Sequence, residues 1–286
     1  LPTMIVSNLA RQSVTVALSA DGGDEAFCGY SKYFFLNKFQ NIFSNSFKRE
    51  VLKVGLNLFS ADSVEYLNEK MPKNLKQTNI KDKYTKFQRA INSSSLEEMF
   101  ENASSYVDKN EIVKFLKVSK NQELFKKWEK IGSIEFLNQM MACDYKLFMN
   151  DDVLTKVDRA TMSVSLEGRE PLLDHRIIEY IARVPVDIKY KNKQGKYLLR
   201  QVLYKYLPKE LVDKPKSGFQ IPLNEWLRDE LKPLVLKYLD VSRLDESIFN
   251  IEEIIQLKKR FFAGVDIGTT IWFILMYQMW KEKWLE

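Results

Sequence analysis

Three carboxylates surround a pair of glycines near the start of the chain. Asp21, Asp24 and Glu25 follow an apolar run at residues 14–18, and Gly22-Gly23 separates the first two acids. Carboxylate oxygens without nearby His or Cys are the ligands that Mg²⁺ prefers, and such an ion is usually shared with substrate phosphates. Glycines give the backbone freedom to approach a phosphate. The stretch indicates a metal–phosphate site, and helix capping by Asp24 and Glu25 is the alternative.

A lysine at the start of a helix is the second feature with chemical potential. Gly195 precedes an apolar helical pattern formed by Leu198, Leu199, Val202 and Leu203, which puts Lys196 in the first turn of the predicted helix. Because a helix N-terminus attracts anions and disfavours a cation, a lysine there is best explained by a bound anion. The alternative is a solvated lysine in a basic loop that also holds Lys189, Lys191 and Lys193.

A further carboxylate falls on the apolar face of a helix predicted at residues 151–166. Asp158 shares that face with Leu154, Val157, Thr161 and Val164. An ionised carboxylate on a buried face is costly unless it is paired. We expect a structural ion pair with Arg169 or Arg183, and contact with a ligand is the alternative.

The elements that hold these residues begin with a helix, a strand and a second helix. Periodicity predicts a helix at residues 3–12, a short buried strand at 14–18 and a helix from Glu25 onward. Such an alternation is the unit of parallel α/β sheets, whose ligands bind beyond the carboxyl ends of the strands. Strand signals almost vanish after Tyr33, so the rest of the chain should be mainly helical.

The remainder of the chain is predicted as helices separated by polar breaks. Breaks are expected at residues 71–74, 92–95 and 132–133, and residues 71–130 should be loops between short helices. The apolar run at 269–280 predicts a core helix, because a bilayer span needs about 20 residues.

Composition limits the classes of function. The 286 residues are 45% hydrophobic, which favours a folded core, and the net charge of +6 comes from scattered lysines that favour a solvated surface. Cys28 and Cys143 stand alone, and His175 is the single histidine. These counts argue against a disulfide framework, a His-based metal site and a Ser-His-Asp triad. We expect a cytoplasmic protein with neither a membrane span nor a nucleic-acid partner.

Three sequence blocks, between residues 18 and 226, resemble one enzyme family. LSADGGDEAFCGYSKY resembles the Ser-Gly-Asp-Gly-Gly-Asp-Glu-x-Phe-Gly-Gly-Tyr signature of glutamine-dependent asparagine synthetases. KVDRATMSVSLEGREPLLDHRIIEYIARVP resembles the family's Val-Asp-Arg … Ser-Leu-Glu-x-Arg-x-Pro-Phe-Leu-Asp block. GKYLLRQVLYKYLPKELVDKPKSGFQIPLNEWL resembles its Gly-Lys-x-x-Leu-Arg … Pro-Lys-x-Gly-Phe-x-x-Pro-Leu block.

The resemblance implies an α/β parent fold of the adenine-nucleotide α-hydrolase-like type, with a parallel sheet. Residues 1–286 would be part of a C-terminal ATP-dependent synthetase domain, mainly α-helical, with one or few strands. Residues 1–33 would supply the strand, loop and helix of the acidic motif, and residues 34–286 would be mostly helical.

The same resemblance implies a reaction and roles for named residues. ATP and Mg²⁺ would adenylate the side-chain carboxylate of aspartate, and ammonia from glutamine would displace AMP. Asp21 would act as a base or orient the adenylate, Lys196 would stabilise phosphate charge, and Asp24 would hold Mg²⁺ and pyrophosphate. The implied ATP and pyrophosphate contacts are Ser19, Gly22, Gly23 and Lys196. The implied supporting residues are Glu25, Asp158 and Arg169.

The chain departs from the family pattern at several positions. These are Ala20, Cys28, Gly168 and Glu170. Ala20 stands beside the acids, where its Cβ would narrow the approach of a phosphate. The Ser-Gly-Gly-x-Asp-Ser pyrophosphate loop and the N-terminal cysteine of the glutaminase have no counterpart in the 286 residues. We therefore expect a cut inside the synthetase domain, with the glutaminase domain and that loop absent.

The expected partners follow from the resemblance. Aspartate and ATP would be the small-molecule substrates, the N-terminal glutaminase domain would belong to the same full-length chain, and a homodimer is compatible with the family. One alternative is a related adenylate-forming amidotransferase that acts on another carboxylate in sugar, peptide or antibiotic biosynthesis. A second alternative is a non-catalytic helical fragment that binds RNA through its positive charge.

Overall fold

The chain forms two compact units in the computed structural model, which describes residues 1–43, 45–72, 75–76, 80–117, 134–192, 194–213 and 221–285. The first unit contains described residues 1–104 and 134–213, and the second contains 105–117 and 221–285. Some sequence features lie outside the described residues. They are the expected breaks at 73–74 and 132–133, Lys193, and the Pro-Lys-x-Gly-Phe part of the third block.

Helices dominate both units, as predicted. In chain order the α-helices of the described residues are α1 (Pro2–Arg11), α2 (Gly23–Ala26), α3 (Ser31–Phe43), α4 (Ser46–Asn57), α5 (Ala61–Glu69), α6 (Ile80–Asn92), α7 (Leu96–Ser104), α8 (Lys109–Phe115), α9 (Phe136–Asp144), α10 (Thr155–Met162), α11 (His175–Arg183), α12 (Val186–Lys189), α13 (Tyr197–Leu203), α14 (Lys209–Val212), α15 (Leu223–Arg228), α16 (Lys232–Tyr238), α17 (Ile251–Phe262) and α18 (Gly268–Trp284). A π-helical segment, Tyr145–Leu154, joins α9 to α10, and short 3-10 turns occupy Pro171–Leu173 and Val241–Arg243.

Two short parallel strands are the only strands among the described residues. They are β1 (Val16–Leu18) and β2 (Glu167–Arg169), and Leu18 pairs with Arg169 in their register. The ladder continues by one bond at each end, from Glu167 N to Thr15 O at 2.9 Å and from Ser19 N to Arg169 O at 2.8 Å. The expected parallel strand pairing is present, and it fixes the start of the loop that carries the acids.

The prediction that β1 is buried is wrong for the described chain. The side chain of Leu18 is 73% exposed, and Val16 is also exposed. A two-stranded sheet covers neither of its faces by itself, and β1 has one partner strand among the described residues. The apolar residues of α1 are exposed as well, namely Met4, Ile5, Val6 and Leu9.

Each unit has its own apolar core. In the first unit, α3, α7 and α9 bury Tyr33, Leu36, Met99, Leu137 and Met140. In the second unit, α15 to α18 bury Leu227, Val235, Ile254, Phe261, Ile271 and Leu275. The predicted core helix at 269–280 is therefore confirmed, as part of α18. No helix in the described ranges is long and apolar enough to cross a membrane.

A buried carboxylate joins α3 to α9 next to the acidic loop. Asp144 accepts a hydrogen bond from the Tyr33 hydroxyl at 2.6 Å and pairs with the Lys32 ammonium at 2.8 Å. Lys32 also donates to the Ser104 hydroxyl at 3.1 Å, and therefore reaches α7. Because charge-assisted bonds at a buried site are strong, this network fixes the helix that follows the loop.

Lys189, one of the neighbouring lysines of the basic segment before Lys196, is buried. It ends α12 with only 2% of its surface exposed, near the buried Cys28 thiol. No carboxylate pairs with it among the described residues. Burial lowers the pKa of its ammonium group, because the charged form loses its hydration.

We predict that Lys189→Met raises the melting temperature at pH 7 by about 2–4 °C, the shift that ~1 kcal/mol produces in a chain of this size. Because the pKa of Lys189 is lower in the folded protein, the unfolded chain binds the proton more tightly. Lys189 therefore destabilises the fold at pH 7, and this destabilisation becomes smaller as the pH rises toward 10.5. Thermal unfolding should therefore show the gain shrinking at alkaline pH. Lys191→Met, at an exposed neighbour, is the matched control. Equal melting temperatures for the two variants would contradict this account of Lys189.

Candidate functional site

The loop after β1 places Asp21 at the carboxyl edge of the two-stranded sheet. Ser19 is fixed there by its backbone bond to Arg169. The Ser19 hydroxyl donates a short hydrogen bond to Asp21 Oδ2, and Asp21 N donates to Ser19 Oγ at 3.2 Å. The side chain of Asp21 is therefore oriented by a residue that the strand pairing itself positions.

Asp24 and Lys196 form an ion pair beside this loop. The Lys196 ammonium lies 3.0 Å from Asp24 Oδ1, and both side chains are partly exposed. The predicted carboxylate and the predicted lysine thus meet in the structure, although they come from opposite ends of the first unit. A negative and a positive group side by side can bind Mg²⁺ and phosphate oxygens respectively.

Backbone contacts hold the pair together. Lys196 N donates to Phe27 O at 3.0 Å, which ties the lysine loop to the end of α2, and Gly29 N donates to Asp24 O at 2.7 Å. Lys196 has a φ of 55° and is the N-cap of α13, not a residue of its first turn as the sequence suggested. The left-handed backbone is uncommon for a residue other than glycine, and such strain is found at functional sites.

Two glycines make this approach possible. A Cβ on Gly29 would lie 2.1 Å from Asp24 Oδ1 and 2.4 Å from Lys196 Cε. A Cβ on Gly195 would lie 2.3 Å from the Cys28 carbonyl oxygen. All three distances are far below van der Waals contact. The ion pair therefore depends on glycine at positions 29 and 195.

The glycine pair between the acids has two different surroundings. Gly22 has a φ of 87° and is the N-cap of α2, so the prediction that Asp24 caps this helix is wrong. Asp24 and Glu25 instead lie in its first turn. Gly23 faces the lysine, since a Cβ there would lie 3.7 Å from Lys196 Nζ. The proposed phosphate contacts of Gly22 and Gly23 stay a prediction.

Glu25 lies behind the site. It is buried and accepts a hydrogen bond from the Tyr30 hydroxyl at 2.6 Å. Burial raises the pKa of its carboxyl group, and nearby Asp24 and Asp144 add to that effect. This arrangement suits a residue that supports the loop. Tyr30 and Asp144 are not among the residues that the sequence predicts for this support, although Tyr30 lies inside the first block.

Asp158 and Arg169 do not form the expected ion pair. Asp158 is 69% exposed, and its carboxylate lies 3.9 Å from Arg159 Nε. Arg169 Nε donates to Glu167 Oε1 at 2.7 Å on the exposed strand β2. The predicted pairing of Asp158 with Arg169 or Arg183 is therefore wrong, because Asp158 lies on the solvent side of α10. A supporting role for either residue stays a prediction.

The donor set fits a magnesium ion that is shared with phosphates. Among the described residues no three His, Cys, Asp or Glu side chains form a ligand cluster. Mg²⁺ commonly takes one or two protein carboxylates and completes its shell with phosphate oxygens and water. Asp24 supplies one such carboxylate, next to a lysine that can hold the same phosphates.

Comparison with known proteins shows the family of the chain. A family model described as asparagine synthase matches residues 1–282. Asparagine synthetase [glutamine-hydrolyzing] 1 of Bacillus subtilis is 28% identical over 286 residues, which cover 99% of this chain and 42% of that protein. A putative asparagine synthetase [glutamine-hydrolyzing] of Mycobacterium bovis is 24% identical and is likewise covered over 42% of its length. The Gallus gallus asparagine synthetase [glutamine-hydrolyzing] is 44% identical over 71 residues, 24% of this chain and 12% of that protein.

We predict that Gly29→Ala destabilises the protein by about 1–3 kcal/mol, the usual cost of an added methyl group in a filled space. The reason is the collision of the new Cβ with Asp24 and Lys196. Gly55→Ala is the control, since Gly55 lies in helix α4 with no atom within 4 Å of the new Cβ. It should stabilise the helix by about 0.5–1 kcal/mol. Urea unfolding compares the two variants, and an equal response would rule out the close approach at Gly29.

Proposed function

The chain belongs to the asparagine synthase family, and we propose that it is the ATP-dependent synthetase part of a glutamine-hydrolysing asparagine synthetase. In the proposed reaction, the side-chain carboxylate of aspartate attacks the α-phosphorus of ATP, and pyrophosphate leaves. Ammonia then attacks the acyl carbon, a C–N bond forms, and AMP leaves. The observation that carries the proposal is the Asp24–Lys196 ion pair beside the acidic loop at the end of β1.

Lys196 has the geometry of a group that stabilises phosphate charge. Its backbone is held by the bond to Phe27 and by the left-handed turn that starts α13, and its ammonium is held by Asp24. A cation fixed in advance needs little reorganisation as negative charge develops, which is the main source of electrostatic catalysis. We propose that it holds the phosphates during adenylation and then the AMP that departs.

Asp24 would hold Mg²⁺, which neutralises charge on the pyrophosphate when it is bound. The ion and the lysine would then act on the same phosphates from neighbouring positions. Gly23 lies beside Lys196 and against Leu172, since a Cβ there would lie 3.7 Å from Lys196 Nζ and 3.0 Å from Leu172 Cδ1.

Asp21 is suited to the amidation half of the reaction. It lies on the other side of the glycine pair, and the Ser19 hydroxyl fixes one of its oxygens. We propose that Asp21 orients the acyl-adenylate or accepts a proton from the attacking nitrogen. A positioned acid–base group contributes about 10²–10⁴-fold to such a step.

We also propose that the active protein is longer than this chain. The chain spans about 42% of the length of the first curated relatives it matches. The exposed apolar residues of α1 and β1 are consistent with a larger parallel sheet of the adenine-nucleotide α-hydrolase-like type, with further strands and the pyrophosphate loop. A glutaminase domain of the same polypeptide would supply ammonia, and the 286 residues alone would be inactive.

Aspartate-dependent exchange of labelled pyrophosphate into ATP tests the proposed function. The full-length protein should catalyse this exchange without any nitrogen donor, because adenylation is reversible. Exchange that requires a different carboxylate would show instead a related amidotransferase with another substrate.

We predict that Lys196→Ala lowers turnover by about 10²-fold or more, as removal of a preorganised electrostatic group does. The aspartate affinity should change little, because the lysine acts mainly on charge that develops in the transition state. Steady-state kinetics of the full-length protein separate the two parameters. Lys205→Ala, an exposed position just beyond the same helix, is the matched control. Turnover within about threefold of the parent would return Lys196 to the solvated-loop interpretation.

We predict that Asp24→Asn and Asp21→Asn differ in their dependence on magnesium. Asp24→Asn should weaken Mg²⁺·pyrophosphate binding and recover in part at high Mg²⁺, because an amide oxygen remains a weak neutral ligand. Asp21→Asn should keep the Mg²⁺ affinity and slow the ammonia-dependent step by about 10²–10⁴-fold. Magnesium titrations of ammonia-driven turnover measure both effects. Identical magnesium profiles for the two variants would refute the division of roles, even if both enzymes were inactive.

A further inference from the structure

Glu170 brings another carboxylate to the edge where Asp21 lies. It follows β2 directly, and Asp21 lies three residues beyond β1, so both leave the carboxyl ends of adjacent parallel strands. The Ser19–Arg169 backbone bond joins the two loops at this point. In an open parallel sheet this edge is where ligands bind.

The Glu170 side chain folds back over a glycine of its own strand. A Cβ on Gly168 would lie 3.4 Å from Glu170 Oε1, and the Thr161 side chain closes the other side at 3.5 Å. Gly168 and Glu170 occupy the two variable positions of the Glu-x-Arg-x-Pro block. These contacts place the Glu170 carboxylate on the face of β2 that lies beside Thr161 of α10.

The Glu170 carboxyl group lies near two other carboxylates, those of Asp21 and Asp158. The side chain is half-buried, and that burial raises the pKa of its carboxyl group. The charges of Asp21 and Asp158 raise this pKa further. Two carboxylates that repel each other at a partly desolvated edge attract a nitrogen that carries protons.

We propose that Glu170 is a further residue of the acceptor site, which together with Asp21 binds the amine nitrogen that attacks the acyl-adenylate. This inference rests on the proposed function and names its nucleophile as ammonia or a small primary amine. As the C–N bond forms and AMP leaves with the electrons of the C–O bond, the nitrogen becomes positive. One of its protons passes to the carboxylate pair, and the amide is left neutral.

The test separates the two half-reactions in the full-length protein, with ammonium chloride as the nitrogen source. In Glu170→Gln, which keeps the shape but loses the basic oxygen, kcat/KM for ammonia should fall by about 10²-fold. Aspartate-dependent pyrophosphate exchange and the KM for aspartate should stay within about twofold of the parent. Glu170→Asp should restore part of the ammonia-dependent rate.

The control is Glu179→Gln, at an exposed glutamate of helix α11, which should match the parent in both assays. Equal losses of exchange and amide formation in Glu170→Gln would overturn the inference, because Glu170 would then serve adenylation. A raised KM for aspartate alone would show that Glu170 binds the aspartate ammonium group, which would overturn the inference. An unchanged kcat/KM for ammonia would also overturn the inference. If the parent protein lacks aspartate-dependent exchange, the proposed function fails first, and the inference falls with it.

Discussion

The candidate site depends on one close approach, in which Lys196 reaches Asp24 across the space left by Gly29. The lysine loop is held to the acidic loop by the Lys196–Phe27 backbone bond. Lys196 Nζ and Asp24 Oδ1 then lie 3.0 Å apart in a partly desolvated position. The attraction between opposite charges is stronger there than in water. Phosphate binding by Lys196 and metal binding by Asp24, as proposed, both require this approach.

The surroundings of that approach are built to resist movement. Glu25 and Tyr30 are hydrogen-bonded behind the loop, and Asp144 of α9 binds both Tyr33 and Lys32 of α3. Burial of such polar groups is costly unless all of them are paired, so a fully paired network favours one arrangement over others.

The residues that meet at the candidate site could be predicted from the sequence better than their packing could. The acids and the lysine were recognisable because residue type and position at an element's end determine what they can bind. The burial of Lys189, the exposure of Asp158 and the exposed strand β1 were missed. Helical periodicity predicts which residues share a face of a helix but not what packs against that face. An apolar strand has the same sequence pattern whether or not other elements cover it. The Gly29 contact could not be predicted, since it depends on where two distant loops meet.

The central claim is that this site directs the α-phosphorus of ATP toward a carboxylate. The most direct measurement follows oxygen-18 from the side-chain carboxylate of aspartate during ammonia-driven turnover of the full-length protein, by phosphorus NMR and mass spectrometry of the products. The account predicts one labelled oxygen in AMP and the other in the amide of asparagine. Label in inorganic phosphate, with none in AMP, would show transfer of the terminal phosphoryl group and would contradict the account.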